Sequence, residues 1–473
     1  MKRKFNASLI TASLFAGVVL LPFQNLGFAE GTVSRETESR DTVAQGIESQ
    51  VDEYIGAHMR GGNFSGSILV ARNGQVLMSK AYGMANYEHD VPNTPHTKFE
   101  IGSMSKPFTA MAITILQEKG LLGFDDPLSK FIPDFPDGEK ITIHHLLTHT
   151  SGVPVLSGIP DFKNLLRIKK PLEETIKKLK MMPMVFTPGE DYQYSNSGYI
   201  LLGYIIEKVS GESYGDFLEE NIFNPLDMKN TGYDDPVTVV KHRAEGYTPG
   251  SKNGLSNADY EDLTSIRGAG SLYSTAEDLY RWDRALYTEK LVNKSTLEKM
   301  FTPPIERHYG YGWVVSKRFD RKMIWHDGST LGFQTYIARF VDDNICLIIM
   351  SNFLHTPMPK IRKDLAAIVF GEEYELPELR KIAEVDPALY KSYVGKYALE
   401  NEDVITVLTE NDRLFAETLA FPSRFEIFPE SDTRFFLKIR EGVAMTFVKN
   451  EKGEVGEFIL HWGDSDIPGK RIE

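Results

Sequence analysis

Along the first 350 residues the apolar positions switch between two rhythms. From Thr42 to Met59, Val43, Ile47, Val51 and Ile55 recur at helical spacing, which predicts an opening amphipathic helix. The runs Ser67–Arg72 and Gln75–Lys80 are rich in strand formers. They are joined by Asn73-Gly74, two residues that tolerate the positive φ of a tight hairpin turn. Helical spacing returns from about Ser103 to Gly120, then over Pro171–Met181, Tyr199–Val209, Tyr214–Ile222, Ala276–Leu286 and Met358–Phe370. Before the last of these come three strand-like runs, Met323–His326, Gln334–Phe340 and Asn344–Met350, the last two meeting at a turn around Asp342-Asp343-Asn344. Strands thus sit at both ends of the region and helices between them. This predicts an α/β (α+β) fold, an antiparallel sheet assembled from distant segments, flanked by helices and interrupted by a helical subdomain.

Between Gly371 and Pro387 the periodicity lapses, and short β-rich runs follow at Val404–Leu408, Leu414–Thr418, Phe425–Phe428, Phe435–Ile439, Met445–Val448 and Phe458–Leu460. Their close, regular spacing predicts a small all-β barrel or sandwich. The expected organisation is a large mixed domain over residues 30–380 and a β domain over 388–473. Residues 1–29 are set apart: Lys2-Arg3-Lys4, an apolar run from Ala7 to Phe23, and the small-x-small triplet Gly27-Phe28-Ala29 read as a cleaved export signal. The expected location is therefore secreted or extracytoplasmic, with membrane attachment only if that segment stays uncleaved.

Composition narrows the chemistry. Apolar residues make up 41% and charged residues 25%, ordinary values for a globular chain. A net charge of −13 without a basic cluster beyond the leader argues against nucleic acid as a partner. Cys346 is the sole cysteine, so no internal disulfide is available; within Ile345-Cys346-Leu347-Ile348 it reads as a small buried hydrophobe in a strand.

The stretch Ile101-Gly102-Ser103-Met104-Ser105-Lys106 carries the strongest chemical signal. At i and i+3 of a starting helix, the Ser103 hydroxyl and the Lys106 amine are neighbours. A serine hydroxyl needs a base to become a nucleophile. A lysine buried at a helix N-terminus meets desolvation and the positive end of the dipole, both of which favour its neutral, basic form. The same helix start offers free amides to an oxyanion.

Downstream stand Tyr194-Ser195-Asn196 and His326-Asp327-Gly328, with the phrases Leu146-Leu147-Thr148-His149-Thr150-Ser151-Gly152, Thr187-Pro188-Gly189-Glu190 and Gly268-Ala269-Gly270-Ser271. With these, the chain from about Ser65 to Asn352 resembles the serine β-lactamase and penicillin-binding-protein superfamily, especially its class C-like branch. The resemblance implies Ser103 as nucleophile, Lys106 as its base and Tyr194 as proton relay. It implies Asn196 hydrogen-bonded to the substrate amide, His326 and Gly328 on a strand edging the cleft, and an oxyanion hole made by the amides of Ser103 and Ser329. No cofactor and no metal are implied. The implied activity is that of a penicillin-binding D-alanyl-D-alanine carboxypeptidase, related peptidase or esterase on a small-molecule or peptide acyl substrate, with peptidoglycan stem peptides and β-lactams as candidates. A class C-like β-lactamase and a non-hydrolytic sensor remain the alternatives. Where most relatives carry Lys-Thr-Gly, this chain has His326-Asp327-Gly328, which removes a fixed cation from the expected cleft. The β domain, with Tyr393-Val394-Gly395-Lys396-Tyr397 and Ile467-Pro468-Gly469-Lys470-Arg471, looks like an accessory domain of such hydrolases.

Three other patterns read as structural. Gly211-Glu212-Ser213-Tyr214-Gly215 matches a nucleophile elbow, but a helix precedes it where a strand is required; Gly211 ends one helix and Ser213 caps the next. His145 and His149 have zinc-like i, i+4 spacing but lack a third ligand, and tertiary hydrogen bonding is expected of them. Ser274-Thr275-Ala276-Glu277 reads as a capping box. For Asn196, a helix-capping role is the competing expectation.

Overall fold

The hairpin at Asn73-Gly74 sets one edge of the main sheet. Its two residues take φ of 52° and 78° and join β1 (Gly66–Arg72) to β2 (Gln75–Tyr82). This is the primed turn that matches the right-handed twist of paired strands. The computed structural model describes residues 33–473, apart from 160–165, 169–170, 250–254, 305–307, 378–379, 400–402, 419–420, 438–442 and 463–464. The expected leader and the end of the expected strand at Ile439 lie outside the described residues.

Four strands from far down the chain complete the sheet: β3 (Val314–Arg318), β4 (Arg321–Thr330), β5 (Phe333–Phe340) and β6 (Ile345–Ser351). The order is β3-β4-β5-β6-β1-β2, antiparallel throughout. The closing pair is β1 with β6, from Gly66 opposite Ser351 to Arg72 opposite Ile345. β3 escapes the hydrophobic pattern because it is a half-buried edge ending in Lys317-Arg318.

Nine helices are used below: α1 (Val33–Arg60), α2 (Lys106–Glu118), α3 (Ile143–Leu147), α4 (Leu172–Lys180), α5 (Asn196–Ser210), α6 (Tyr214–Leu218), α7 (Ala276–Ala285), α8 (Lys294–Met300) and α9 (Met358–Phe370). The sheet is covered on both faces, which explains the unbroken apolar run of β6. Ile345, Leu347 and Ile349 point to one side with Ile68 and Val70, against Ile47, Val51 and Ile55 of α1 and Ile361 and Leu365 of α9. Cys346, Ile348 and Met350 point to the other with Leu69, against the helical region that contains α2, α5 and α7. Each of these fully buried aliphatic side chains is worth about 1.5–3 kcal/mol in apolar area removed from water. Val43, expected in the α1 stripe, is 50% exposed, so the buried stripe starts one turn later.

Several local expectations change on inspection. The cap of α7 is Thr275, whose side chain accepts from the Asp278 amide, and not Ser274; the Ser274 hydroxyl instead meets Thr231 Oγ1 at 2.7 Å. The helix expected over Tyr214–Ile222 is α6 followed by a π-helical turn, Glu219–Phe223. Gly211, at φ 77°, ends α5, and Ser213 caps α6.

The C-terminal region is a closed eight-stranded barrel: β7 (Gly395–Leu399), β8 (Val404–Glu410), β9 (Arg413–Thr418), β10 (Phe421–Pro429), β11 (Arg434–Phe436), β12 (Val443–Lys449), β13 (Val455–Trp462) and β14 (Ser465–Arg471). The hydrophobic pattern shows six of these strands and misses the first and last. Those two pair with each other, Tyr397 opposite Arg471 and Leu399 opposite Gly469, so the two phrases singled out in the sequence close the barrel. Closure leaves no unpaired edge. Among the described residues no helix is long and apolar enough to cross a membrane.

Candidate active site

The site forms where the free end of β4 lies along the start of α2. β3 pairs with β4 only as far as Trp325, so the stretch from His326 to Thr330 presents an open edge. A 3-10 turn, Gly102–Ser105, runs beside it and leads directly into α2. The approach is close enough to demand glycine on both sides. A Cβ on Gly328 would sit 1.9 Å from the Ile101 carbonyl oxygen, and one on Gly102, at φ +50°, would sit 2.8 Å from the Ser329 amide nitrogen. Gly328 is thus a packing requirement, and it brings the Ser329 amide up to the 102–103 peptide. Thr335 Oγ1 ties the pair together by donating to the Ile101 carbonyl at 3.0 Å.

Lys106, the first residue of α2, is completely buried. Its Nζ lies 2.9 Å from Ser103 Oγ, 2.8 Å from Asn196 Oδ1 and 2.8 Å from the Ala269 carbonyl oxygen. All three neighbours are neutral oxygens. Burial therefore holds the amine well below its ordinary lysine value, with Asp327 as the opposing influence. Asn196 is free to serve Lys106 because Ser195 caps α5, its side chain accepting from the Gly198 amide. The competing capping role for Asn196 is thereby filled by its neighbour.

Tyr194 leans over this pair, with Lys106 Nζ 4.8 Å from its ring centre. The ring is 38% exposed, while the phenol end reaches inward to Ser103. Burial of that end pushes the phenol up, partly offset by the hydrogen bond with Ser103.

His326 differs most from expectation. It is 2% exposed, and its Nδ1 donates to the Asp327 carbonyl oxygen. Nε2 is then the acceptor, and it takes the Tyr309 hydroxyl proton at 3.0 Å. Both ring nitrogens are thus engaged inside the protein. Burial first, and Lys106 second, lower its pKa to about 4. Asp327 points to the opposite face of β4, where it pairs with Arg362 of α9 at 3.0 Å. That is the alternation expected of a strand.

The Beta-lactamase family profile matches residues 51–370, and a domain of unknown function (DUF3471) matches residues 379–471. The chain belongs to the beta-lactamase family. Penicillin-binding protein 4* of Bacillus subtilis (strain 168) is 35% identical over 430 residues, 84% of this chain and 95% of that protein. The octameric penicillin-binding protein homologue from Pyrococcus abyssi is 28% identical at a TM-score of 0.60, covering 90% of this chain and 99% of that one. The D-amino acid amidase from Ochrobactrum anthropi SV3 shares the fold at 22% identity and a TM-score of 0.61, over 70% of this chain and 99% of that one. The protein is accordingly a penicillin-binding-protein-like serine hydrolase that works by acyl transfer.

Within this beta-lactamase-family site, sequence reading overlooked three contributors. Ala269 acts through a backbone carbonyl, which no side-chain motif reveals. Tyr309 reaches His326 from a loop with no periodicity. His149 makes the tertiary hydrogen bond expected of it, but the spacing gives no sign of its place beside Tyr194, with ring centres 4.4 Å from Tyr194 and 4.5 Å from Tyr309. His145 uses its Nδ1 to accept the Thr142 amide in a capping box, and His149 uses its own to accept the Ser195 amide.

Proposed function

We propose that Ser103 is the acyl-accepting nucleophile and Lys106 its general base, in a penicillin-binding-protein-type peptidase or esterase acting outside the cytoplasmic membrane. The observation that carries this reading is the ligation of the Lys106 amine. A neutral amine has two N–H donors and one lone pair. Asn196 Oδ1 and the Ala269 carbonyl can only accept, so they take both hydrogens. The lone pair is left facing Ser103 Oγ at 2.9 Å.

Ser103 then passes its proton to Lys106 as its oxygen bonds to the substrate carbonyl carbon. The amides of Ser103 and Ser329 hold the resulting oxyanion. Tyr194, kept as a neutral phenol by its burial, donates its proton to the departing nitrogen or oxygen and is resupplied from Lys106. The C–N or C–O bond breaks and an acyl-enzyme remains. Water attacks it along the reverse proton route and frees Ser103. The Asn196 amide NH2 is available to a substrate carbonyl, since its oxygen is committed to Lys106. His326 supports the cleft wall as a neutral, internally bonded ring. Substrate binding then does not depend on a fixed cation at that position, which favours esters and amides without a carboxylate beside the scissile bond over anionic β-lactams and D-Ala-D-Ala ends. An export signal at Met1–Ala29 supplies the extracytoplasmic address.

The test is to incubate the mature protein with a fluorescent penicillin and, separately, a p-nitrophenyl ester, following the mass of the Ser103 peptide. An acyl adduct on Ser103 or ester turnover is expected, and Ser103→Ala abolishes both. A lasting penicillin adduct marks a penicillin-binding enzyme, and ester turnover without an adduct marks an esterase. Activity that survives Ser103→Ala would overturn the assignment.

A further inference from the structure

His149 is placed in a way that helix capping or core filling does not require. It is 1% exposed and holds φ at +59°, a left-handed conformation uncommon outside glycine. From that position it bonds both sides of Tyr194. Its carbonyl oxygen accepts the Gln193 amide at 3.0 Å, and its Nδ1 accepts the Ser195 amide at 3.1 Å. The imidazole lies against the Tyr194 ring, 4.4 Å between centres. It is hemmed in by Tyr309 at 4.5 Å and Tyr199 at 5.1 Å. With Nδ1 accepting, the proton is on Nε2, which is buried and has no hydrogen-bond partner among the described residues. An unpaired buried donor is a cost to the fold. The left-handed backbone adds to that cost, so this residue is kept against two unfavourable local contributions.

We infer that His149 is a positioning residue for the acyl-transfer step, a two-sided clamp that holds the 193–195 peptide so that the Tyr194 phenol stays registered on Ser103 and Lys106. The inference rests on the assignment of Tyr194 as proton relay. The carbonyl bond fixes the chain ahead of Tyr194, the ring nitrogen fixes it behind, and the imidazole face sets the tilt of the phenol ring. The same Ser195 residue caps α5 and so sets the helix that begins with Asn196. The left-handed turn at His149 is what lets one residue reach both amides.

The clamp makes a specific demand on substitution. Asparagine keeps an acceptor at the Nδ1 position and tolerates positive φ; phenylalanine keeps the ring and loses the acceptor; alanine loses both. Thermal melts identify which of His149→Phe and His149→Ala remains folded, and that variant is carried forward. Rates are measured with whichever of the fluorescent penicillin and the p-nitrophenyl ester acylates Ser103. The expected result is a fall in kcat of at least thirtyfold with KM within about twofold, and recovery in His149→Asn to within about fivefold of the parent. In a Tyr194→Phe background the same His149 change should cost less than threefold more, because the residue it positions has lost its hydroxyl. Parent-like rates in the folded variant, or full multiplication of the two losses, overturn the clamp. Activity in Ser103→Ala would instead overturn the nucleophile assignment, so the two failures are distinguishable.

Discussion

Among the described residues of the mixed domain two long basic side chains are buried, and they are treated in opposite ways. Arg339 on β5 is 1% exposed and meets the carboxylate of Asp283 on α7 at 2.6 Å. Arg284 pairs with the same carboxylate, and the Arg339 guanidinium is flanked by the rings of Tyr287 and Phe301. Lys106 is equally buried, but its amine meets only neutral oxygens. An arginine stays charged and must be paired when buried. A lysine denied a counter-ion gives up its proton instead. One region therefore uses a buried cation to join helix to sheet, and in the other burial favours the neutral amine that the proposed role of Lys106 requires. Burial alone distinguishes neither role; the partner does.

The comparison can be broken most directly at Lys106. Lys106→Met should lower the acylation rate by about a thousandfold or more. Chemical denaturation should show a loss below about 2 kcal/mol, because the amine contributes hydrogen bonds to neutral oxygens and no ion pair. Asp283→Asn should do the reverse. It leaves Arg339 charged and unpaired, so unfolding stability should drop by about 3–5 kcal/mol, with kcat per folded molecule unchanged. If Lys106→Met were the more destabilising change, the contrast would collapse.

Acid should strike the uncharged side first. His326 and His58 are both held at about 4 by burial. Between their unfolded value near 6.5 and that figure the unfolded chain binds protons that the folded one refuses, so stability falls as pH falls. Each contributes a loss of about 2 kcal/mol between pH 7.5 and 5. Glu100, raised to about 7 chiefly by burial, works in the opposite sense over that range and offsets about one of them. Denaturation curves at the two pH values should therefore show a net loss of about 2 kcal/mol, and a flat or rising profile would contradict the neutral state of these rings. The smallest effect belongs to the outer face. Asp327→Asn removes a half-exposed pair with Arg362 and should change stability by less than about 1 kcal/mol.

What sequence reading recovered follows the range of each interaction. Ser103 and Lys106 are three residues apart on one turn, so their contact was legible from spacing alone. The sheet of distant segments was legible because β1, β2, β5 and β6 are apolar on their buried faces. His326 was legible as a position and misjudged as a contact, because the Tyr309 hydroxyl that engages it comes from a loop seventeen residues upstream. β7 and β14 escaped notice because Gly395, Pro468 and Gly469 weaken any strand pattern; their pairing with β8, with β13 and with each other makes them strands. Gly102 and Gly328 stand out in the sequence, but the backbone contact that requires them appears only when β4 meets the turn.

The pairing of β1 with β6 has a consequence for how the domain comes into being. Gly66 finds its partner in Ser351, so nearly the whole domain must be synthesised before its central strands can meet. The loop to be closed is long, and such non-local pairings form slowly. Ser103 and Lys106 are made early but do not meet Asn196, Ala269 and the β4 edge until the last strand arrives. The same topology that buries the Lys106 amine also keeps the emerging chain from assembling this site until the mixed domain is almost complete.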